Sequence, residues 1–231
     1  MQEPSPQAAA PLPIRVAGVL VVVGGGRCDP ELLKGLAAEG ASIIAADGGA
    51  GNVAAAGLTP AAIVGDLDSL DDPQAWAKRT RLVRIDEQET TDFEKCLYAT
   101  EAPVTVALGM TGERLDHTLA ALDAMARYAS RRRVILVDEI DMAVALDTTF
   151  RFCVGPGDRV SIHPLEAVTF AGSRGLVYPL DGLTLAPGMR TGTSNAASSG
   201  RFTITPANAG AWLLIVDRRY LGALIDRLLE A

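Results

Sequence analysis

The stretch VAGVLVVVGGGRCDPELLKGLAAEGASIIAADGG, Val16–Gly49, decides how the rest of the chain is read. Its apolar run, VLVVV, has the composition of a strand buried on both faces of a parallel sheet. Three glycines follow, and Asp29 then stands where it can cap a helix whose first residue is Pro30. The helix runs through ELLKGLAAE and stops at Gly40, and SIIAA (Ser42–Ala46) reads as the next strand. Strand, helix and strand at this spacing make one unit of an α/β sheet.

The unit repeats outward to about Asp147. The sequence predicts a short helix over Asn52–Ala56, a strand over Ala61–Val64, a helix begun by Asp72 and Pro73, and a strand over Leu82–Ile85. Thr91 and Glu94 have capping-box spacing ahead of DFEKCLYAT. Pro103–Leu108 and Val134–Val137 read as strands around a helix over Glu113–Tyr128, with Leu115, Leu119, Leu122 and Ala126 as its expected buried stripe. From about Thr149 the texture changes. Short strand candidates (RVSIHP, AVTFA, GLVYPL, RFTIT, AWLLIVD) are split by Gly- and Pro-containing turns, the pattern of a small antiparallel sandwich or barrel. A final helix would place Leu221, Leu224, Ile225 and Leu228 on one face. Residues 1–13, rich in Pro, Ala and Gln, are expected to form a flexible tail.

Composition narrows the function. The 231 residues carry a formal charge of −7, which disfavours a nucleic-acid partner, since such binding neutralises phosphates with clustered Lys and Arg. The one basic run, Arg131–Arg133, reads as a solvated helix end. Cys28, Cys96 and Cys153 form neither a CxxC pair nor a disulfide framework, so a reducing, cytoplasmic setting is expected. No apolar run is long enough to span a bilayer, and no secretory signal stands at the start, so no membrane role is expected.

Carboxylates mark the strand ends. SIIAA runs into Asp47-Gly48-Gly49, AAIV into GDLDSL with Asp66 and Asp68, and LVRI toward Asp86 and then Thr91-Asp92. VTVAL leads into GMTGERLDH, which carries Arg114, Asp116 and His117. Any one aspartate is readily explained as a turn or cap residue. Together they would converge on the carboxyl edge of one sheet, where open α/β sheets bind ligands. Like charges so placed raise one another's pKa, and a hard dication relieves the conflict. In extended chain Asp66 and Asp68 would face one way, toward a shared Mg²⁺, with Leu67 in the core. Glycines 48, 49, 65, 109 and 112 would let backbone approach a bulky ligand. A metal–nucleotide site is the resulting expectation. Gly24–Gly26 resembles a phosphate loop but lacks both GxGxxG spacing and GK[ST]. His163 lies in a β run and reads as structural, and no Ser-His-Asp or Cys-His arrangement stands out.

ADGGA (Ala46–Ala50), GDLDSL (Gly65–Leu70), TTDFEKCL (Thr90–Leu97), GERLDHTLA (Gly112–Ala120) and GTSNAASSG (Gly192–Gly200) occur in the order seen in thiamine pyrophosphokinases, and the chain resembles that family. The resemblance implies an α/β fold: a Rossmann-like, mainly parallel sheet with flanking helices over 14–148, and a C-terminal antiparallel β-sandwich for thiamine binding and dimerisation over 149–231. It implies transfer of pyrophosphate from Mg-ATP to the hydroxyl of thiamine, giving thiamine diphosphate and AMP. Asp47, Asp66, Asp68 and Asp92 would then form the acidic cluster, with Asp66, Asp68 and Asp92 holding Mg²⁺. Asp66, Asp68, Asp92 and Arg114 would be the catalytic set. Asp47, Gly48, Gly49, Thr91, Arg114, Asp116 and His117 would contact the nucleotide. Gln88, Tyr178, Ser194 and Asn195 would contact thiamine, Tyr178 by stacking on a cationic ring. A homodimer with sites between its chains is also implied. The rival readings are a diphosphokinase for another hydroxymethyl heterocycle, such as a pterin alcohol, and a non-catalytic thiamine or nucleotide sensor.

Overall fold

The computed structural model describes residues 13–230, so the tail expected over residues 1–13 lies, apart from Pro13, outside them. β1 (Ile14–Arg15) and β2 (Val19–Val23) come first, and α1 (Pro30–Ala38) leads to β3 (Ser42–Ala46). α2 (Gly49–Ala55) precedes β4 (Ala62–Gly65), and α3 (Pro73–Ala77) precedes β5 (Arg81–Arg84). After α4 (Asp92–Ala99), the short β6 (Thr100–Glu101) pairs with β1. β7 (Val104–Leu108), α5 (Leu115–Tyr128) and β8 (Val134–Val137) complete the alternation. The remainder is β9 (Asp141–Leu146), β10 (Phe150–Phe152), β11 (Ser161–Pro164), β12 (Val168–Arg174), β13 (Thr184–Leu185), β14 (Phe202–Pro206), β15 (Trp212–Asp217) and α6 (Leu221–Leu229).

Among the described residues the main sheet has nine strands, ordered β11-β15-β9-β8-β7-β2-β3-β4-β5. β8, β7, β2, β3, β4 and β5 run parallel, so their carboxyl ends share one edge. The order reverses beside β2, with β3 on one side and β7 on the other. Val21 and Val23 pack with residues of α1, α2 and α6, whereas Leu20 and Val22 pack with residues of α4 and α5. Each fully buried Leu or Val of this kind contributes roughly 1.5–3 kcal/mol.

Four differences from the sequence reading have physical causes. β11 and β15, read as strands of the second region, pair with each other but also extend the first sheet, because β15 lies antiparallel to β9. The separate four-stranded antiparallel sheet is β10-β14-β12-β13. Phe170 of β12 meets Trp212 of β15 edge-on at 5.7 Å, so the two sheets share a core. Second, GLVYPL is not a strand: the N–H and C=O of Tyr178 bond to the Asn195 side chain instead of a ladder partner, and Pro179 has no N–H to give.

Third, the stripe expected on α5 turns outward at Leu115 and Leu119, and only Leu122 of its leucines packs against the core. Leu115 is 72% exposed and Leu119 is also exposed, while Ala121, Ala124 and Met125 pack on the sheet. A helix with apolar residues on two faces has two stripes of the same period, and close packing on a sheet favours the slimmer one. Fourth, the arginine run is not simply solvated. Arg132 donates to the carbonyls of Leu97 and Thr100 and to the Thr105 hydroxyl, and Arg133 donates to the Leu228 carbonyl. These guanidinium groups tie α4, the strand edges and α6 together. α6 itself buries Leu221, Leu224, Ile225 and Leu228, as its spacing predicts.

Candidate functional site

At the carboxyl edge of the parallel strands the chain makes a cleft of about 250 Å³. Its walls are the glycine loop 24–26 after β2, the Asp47-Gly48 turn after β3, Ser69, the head of α4 at Thr91 and Asp92, and the 109–117 segment after β7. Asn52 on α2 donates to the carbonyls of Gly24 and Gly26, both at 2.8 Å, and so fixes the glycine loop. A side chain at 49 would put its Cβ 1.9 Å from the Val23 carbonyl oxygen, so α2 can start here only with glycine.

Asp47 is the centre of the site. It is 2% exposed, adopts φ +39°, and accepts the Ser69 N–H on Oδ2 at 3.0 Å. Its other oxygen, Oδ1, has no hydrogen-bond partner. Burial pushes its carboxyl above the usual range, and the charges of Asp92, Asp66 and Asp68 add to that despite the opposing Ser69 bond. One oxygen from each of Asp47, Asp66 and Asp68 lies within 4.8 Å of the others. Like-charged oxygens this close, on a group that includes the half-satisfied Asp47 carboxylate, fit a dication.

Asp66 and Asp68 meet by a route that strand alternation does not provide. β4 ends at Gly65, Leu67 takes φ +66°, and the Asp68 N–H turns back to Asp66 Oδ1 at 3.4 Å. A left-handed leucine is uncommon, and the turn that holds it aims both carboxylates at Asp47 while Leu67 rests against the core. Gly65 leaves room for this: a Cβ there would sit 2.8 Å from Asp47 Cβ and 3.0 Å from Asp92 Oδ1.

Asp92 begins α4 behind the Thr91 cap, whose hydroxyl accepts the Glu94 N–H at 3.4 Å. The reciprocal half of the expected capping box is absent, because the Glu94 carboxylate is held by Arg127 on α5. One turn on, Lys95 is 2% exposed, and its Nζ lies 3.1 Å from Asp92 Oδ1 and 3.9 Å from Asp66 Oδ2. Burial lowers the pKa of this ammonium, but the Asp92 bond and the charges of Asp92, Asp66 and Glu87 more than offset it, so the net shift is upward.

Residues 33–137 match the model of "Thiamin pyrophosphokinase, catalytic domain". Over these residues the chain is similar to the catalytic domain of that family. No curated protein sequence matches the chain. Among solved structures, the chain is similar to thiamin pyrophosphokinase from Geobacillus thermodenitrificans at 24% identity and TM-score 0.73, covering 86% of this chain and 97% of that one. It is also similar to the Candida albicans enzyme (14% identity, TM-score 0.73, 94% and 97% covered) and the yeast enzyme (15%, 0.72, 96% and 95%). At these identities the likeness is one of fold, and it extends over both regions of the chain.

Within the matched region, Asp47, Gly48, Thr91, Asp92, Arg114 and His117 line the cleft, with Asp66 and Asp68 beside Asp47. Gly49 lies behind the cleft wall, and Asp116 is gripped by Arg114 through a forked pair at 3.1 and 2.5 Å. Asp86 pairs with Arg84. Gln88 donates to Asp66 Oδ2 at 2.8 Å, which holds the Asp66 carboxyl below the usual range. The loop carrying Gln88 is braced by Glu87, which accepts from Thr90 and Tyr98 and has its carboxyl drawn down to about 2 by these bonds.

Tyr178, Ser194 and Asn195 do not line this cleft. Tyr178 is 66% exposed, and Ser194 takes φ +59° with its N–H on the Ser161 hydroxyl. Sequence reasoning missed Lys95, Asn52 and Ser69. Only Lys95 left a signal, its position three residues after Asp92 on one helical face.

Proposed function

We propose that the chain catalyses thiamine pyrophosphorylation: thiamine and Mg-ATP give thiamine diphosphate and AMP. The observation that carries this reading is the orphaned, buried Oδ1 of Asp47 beside the carboxylates of Asp66 and Asp68, at the lip of a glycine-walled cleft. Sequence placed the metal on Asp66, Asp68 and Asp92. We assign it to Asp66 and Asp68 with Asp47, whose carboxyls already converge, and leave the adjacent Asp92 for proton transfer. Magnesium bound there with the phosphates would supply charge neutralisation and polarise the phosphoryl oxygens.

The chain's own groups do the rest. The glycine loops admit the phosphates by backbone approach, and Arg114 supplies a fixed positive charge at the mouth. In the reaction the thiamine hydroxyl oxygen bonds to the β-phosphorus, the bond from that phosphorus to the α-phosphate oxygen breaks, and AMP leaves. Asp92, ion-paired with Lys95, takes the hydroxyl proton. The acidic surroundings also favour thiamine's cationic ring.

We read residues 14–148 as the Rossmann-like nucleotide-binding domain and 149–231 as a β-sandwich domain for thiamine and dimerisation. Val177, Tyr178 and Met189 expose apolar surface on the second region, as a pocket completed by a second copy would require. In that arrangement Tyr178 and Ser194 reach thiamine across the interface, with Gln88 at the acidic edge. Three free thiols, Cys28, Cys96 and Cys153, suit a reducing compartment such as the cytoplasm. Among the described residues, no helix is long and apolar enough to cross a membrane.

The test is purified protein with Mg-ATP and either thiamine or a hydroxymethylpterin, scoring AMP and the diphosphate product. AMP and thiamine diphosphate are expected with thiamine alone. AMP formed only with the pterin would move the assignment to another hydroxymethyl heterocycle. Binding of ATP and thiamine without AMP would make the protein a sensor.

A further inference from the structure

The acidic cluster contains a cation of its own. Lys95 is 2% exposed, and its Nζ donates to Asp92 Oδ1 at 3.1 Å and stands 3.9 Å from Asp66 Oδ2. A buried ammonium has lost its water and depends on the charges around it, and removing either side leaves the other uncompensated. Asp92 and Lys95 lie three residues apart on α4, so the helix itself keeps the pair in register. Asp66, the second neighbour of Lys95, belongs to the converging triplet with Asp47 and Asp68. A dication entering that triplet therefore meets a positive charge already seated on one of its ligands, and at such short range two cations repel strongly. The phosphates of a nucleotide bring the negative charge that offsets this repulsion.

We propose that Lys95 is a resident counter-cation of the carboxylate cluster, a positioning residue that holds Asp92 and Asp66 in place without metal and makes divalent-cation binding depend on the nucleotide. This inference rests on the pyrophosphokinase reading of the site. It predicts that the metal is bound weakly by the protein alone and tightly as the nucleotide complex. Lys95 touches no substrate in this scheme. It acts through Asp92 and Asp66.

The experiment is titration with Mn²⁺, followed by the EPR signal of the free ion, on wild type, Lys95→Met, Lys95→Gln and Lys95→Arg, with near-UV circular dichroism to establish folding. Lys95→Met and Lys95→Gln should tighten the Kd for Mn²⁺ alone by about tenfold or more, and Lys95→Arg should stay within about threefold of wild type. Adding α,β-methylene-ATP, whose bridge resists cleavage, should improve Mn²⁺ affinity more in wild type than in Lys95→Gln. If a folded Met or Gln variant binds Mn²⁺ no more tightly than wild type, Lys95 is a structural residue only and the proposal fails. Equal improvement by the nucleotide analogue in wild type and Lys95→Gln overturns the dependence on nucleotide. Lys95→Gln is one atom shorter but keeps a polar N–H donor without the charge, so it decides the matter if the Met variant does not fold. No thiamine and no turnover enter the titration, so its failure is distinct from a failure of the AMP assay.

Discussion

Asp47 and Asn195 are both buried polar side chains, 2% and 3% exposed, on opposite regions of the molecule. Sequence resemblance gave each to a ligand. Their surroundings differ. Asn195 spends its amide on the backbone of Tyr178, giving Nδ2–H to the carbonyl at 2.7 Å and taking the N–H on Oδ1 at 3.1 Å. Asp47 satisfies one oxygen with Ser69 and leaves the other without a partner. A buried polar group whose bonds are complete is scaffolding, whereas one left incomplete is open to a ligand, because an unmade buried hydrogen bond costs about 1–3 kcal/mol. The acidic cleft thus presents a buried oxygen without a partner, whereas both polar atoms of the Asn195 side chain are bonded to nearby backbone.

That contrast can be broken at several points. The largest effect is expected from Asp68→Asn, with kcat lowered by on the order of 10³-fold and an unchanged circular dichroism spectrum. Asp68 is exposed and its side chain accepts only from Ser69 Oγ, at 3.0 Å, among the described residues, so the fold has little to lose. Near wild-type turnover in that variant would remove Asp68 from the site.

Next in size is Asn195→Ala, which strands the N–H and C=O of Tyr178. It should cost about 2–3 kcal/mol in chemical denaturation, with the same loss whether or not Mg²⁺ is present. A loss confined to thiamine KM would make Asn195 a ligand contact after all.

The smallest expected effect has the opposite sign. Asp47→Asn keeps the Ser69 bond through its carbonyl oxygen and turns an amide toward Asp66 and Asp68, so the metal-free protein should gain about 1 kcal/mol. The sign follows from the raised folded-state pKa of Asp47. Its stabilising contribution is complete below the unfolded carboxylate pKa and is lost as pH rises through the folded value, so at neutral pH the ionised group costs stability. The gain should vanish when Mg²⁺ is added, since wild type is then stabilised by binding and the variant much less. Destabilisation of the metal-free variant would show that Asp47 already has a partner.

Much of the fold was legible because its signals are local. Asp29 capping Pro30, Thr91 capping Glu94 and the four-residue apolar face of α6 appear in the structure as the sequence spacing requires. The α5 stripe was misread because Leu115 and Leu119 share their period with the slimmer face that packs. The carboxylates at strand ends were also legible, but the turn that joins Asp66 to Asp68 was not, since nothing local announces a leucine at φ +66°. Lys95 sat in plain view within TTDFEKCL, yet burial of an ammonium beside Asp92 depends on β4 and α4 being neighbours in space.

The sequence by itself determined the strand–helix alternation, the helix caps, the antiparallel texture after Thr149 and the set of acidic residues that end the strands. Each depends on backbone preferences and side-chain periods within a few residues. Tertiary structure alone decided that β15 joins β9 in the first sheet, that Asp47, Asp66 and Asp68 bring oxygens within 4.8 Å, and that Asn195 closes on Tyr178. Those contacts join residues far apart in the chain. Strand order and register set them, and no local pattern encodes either.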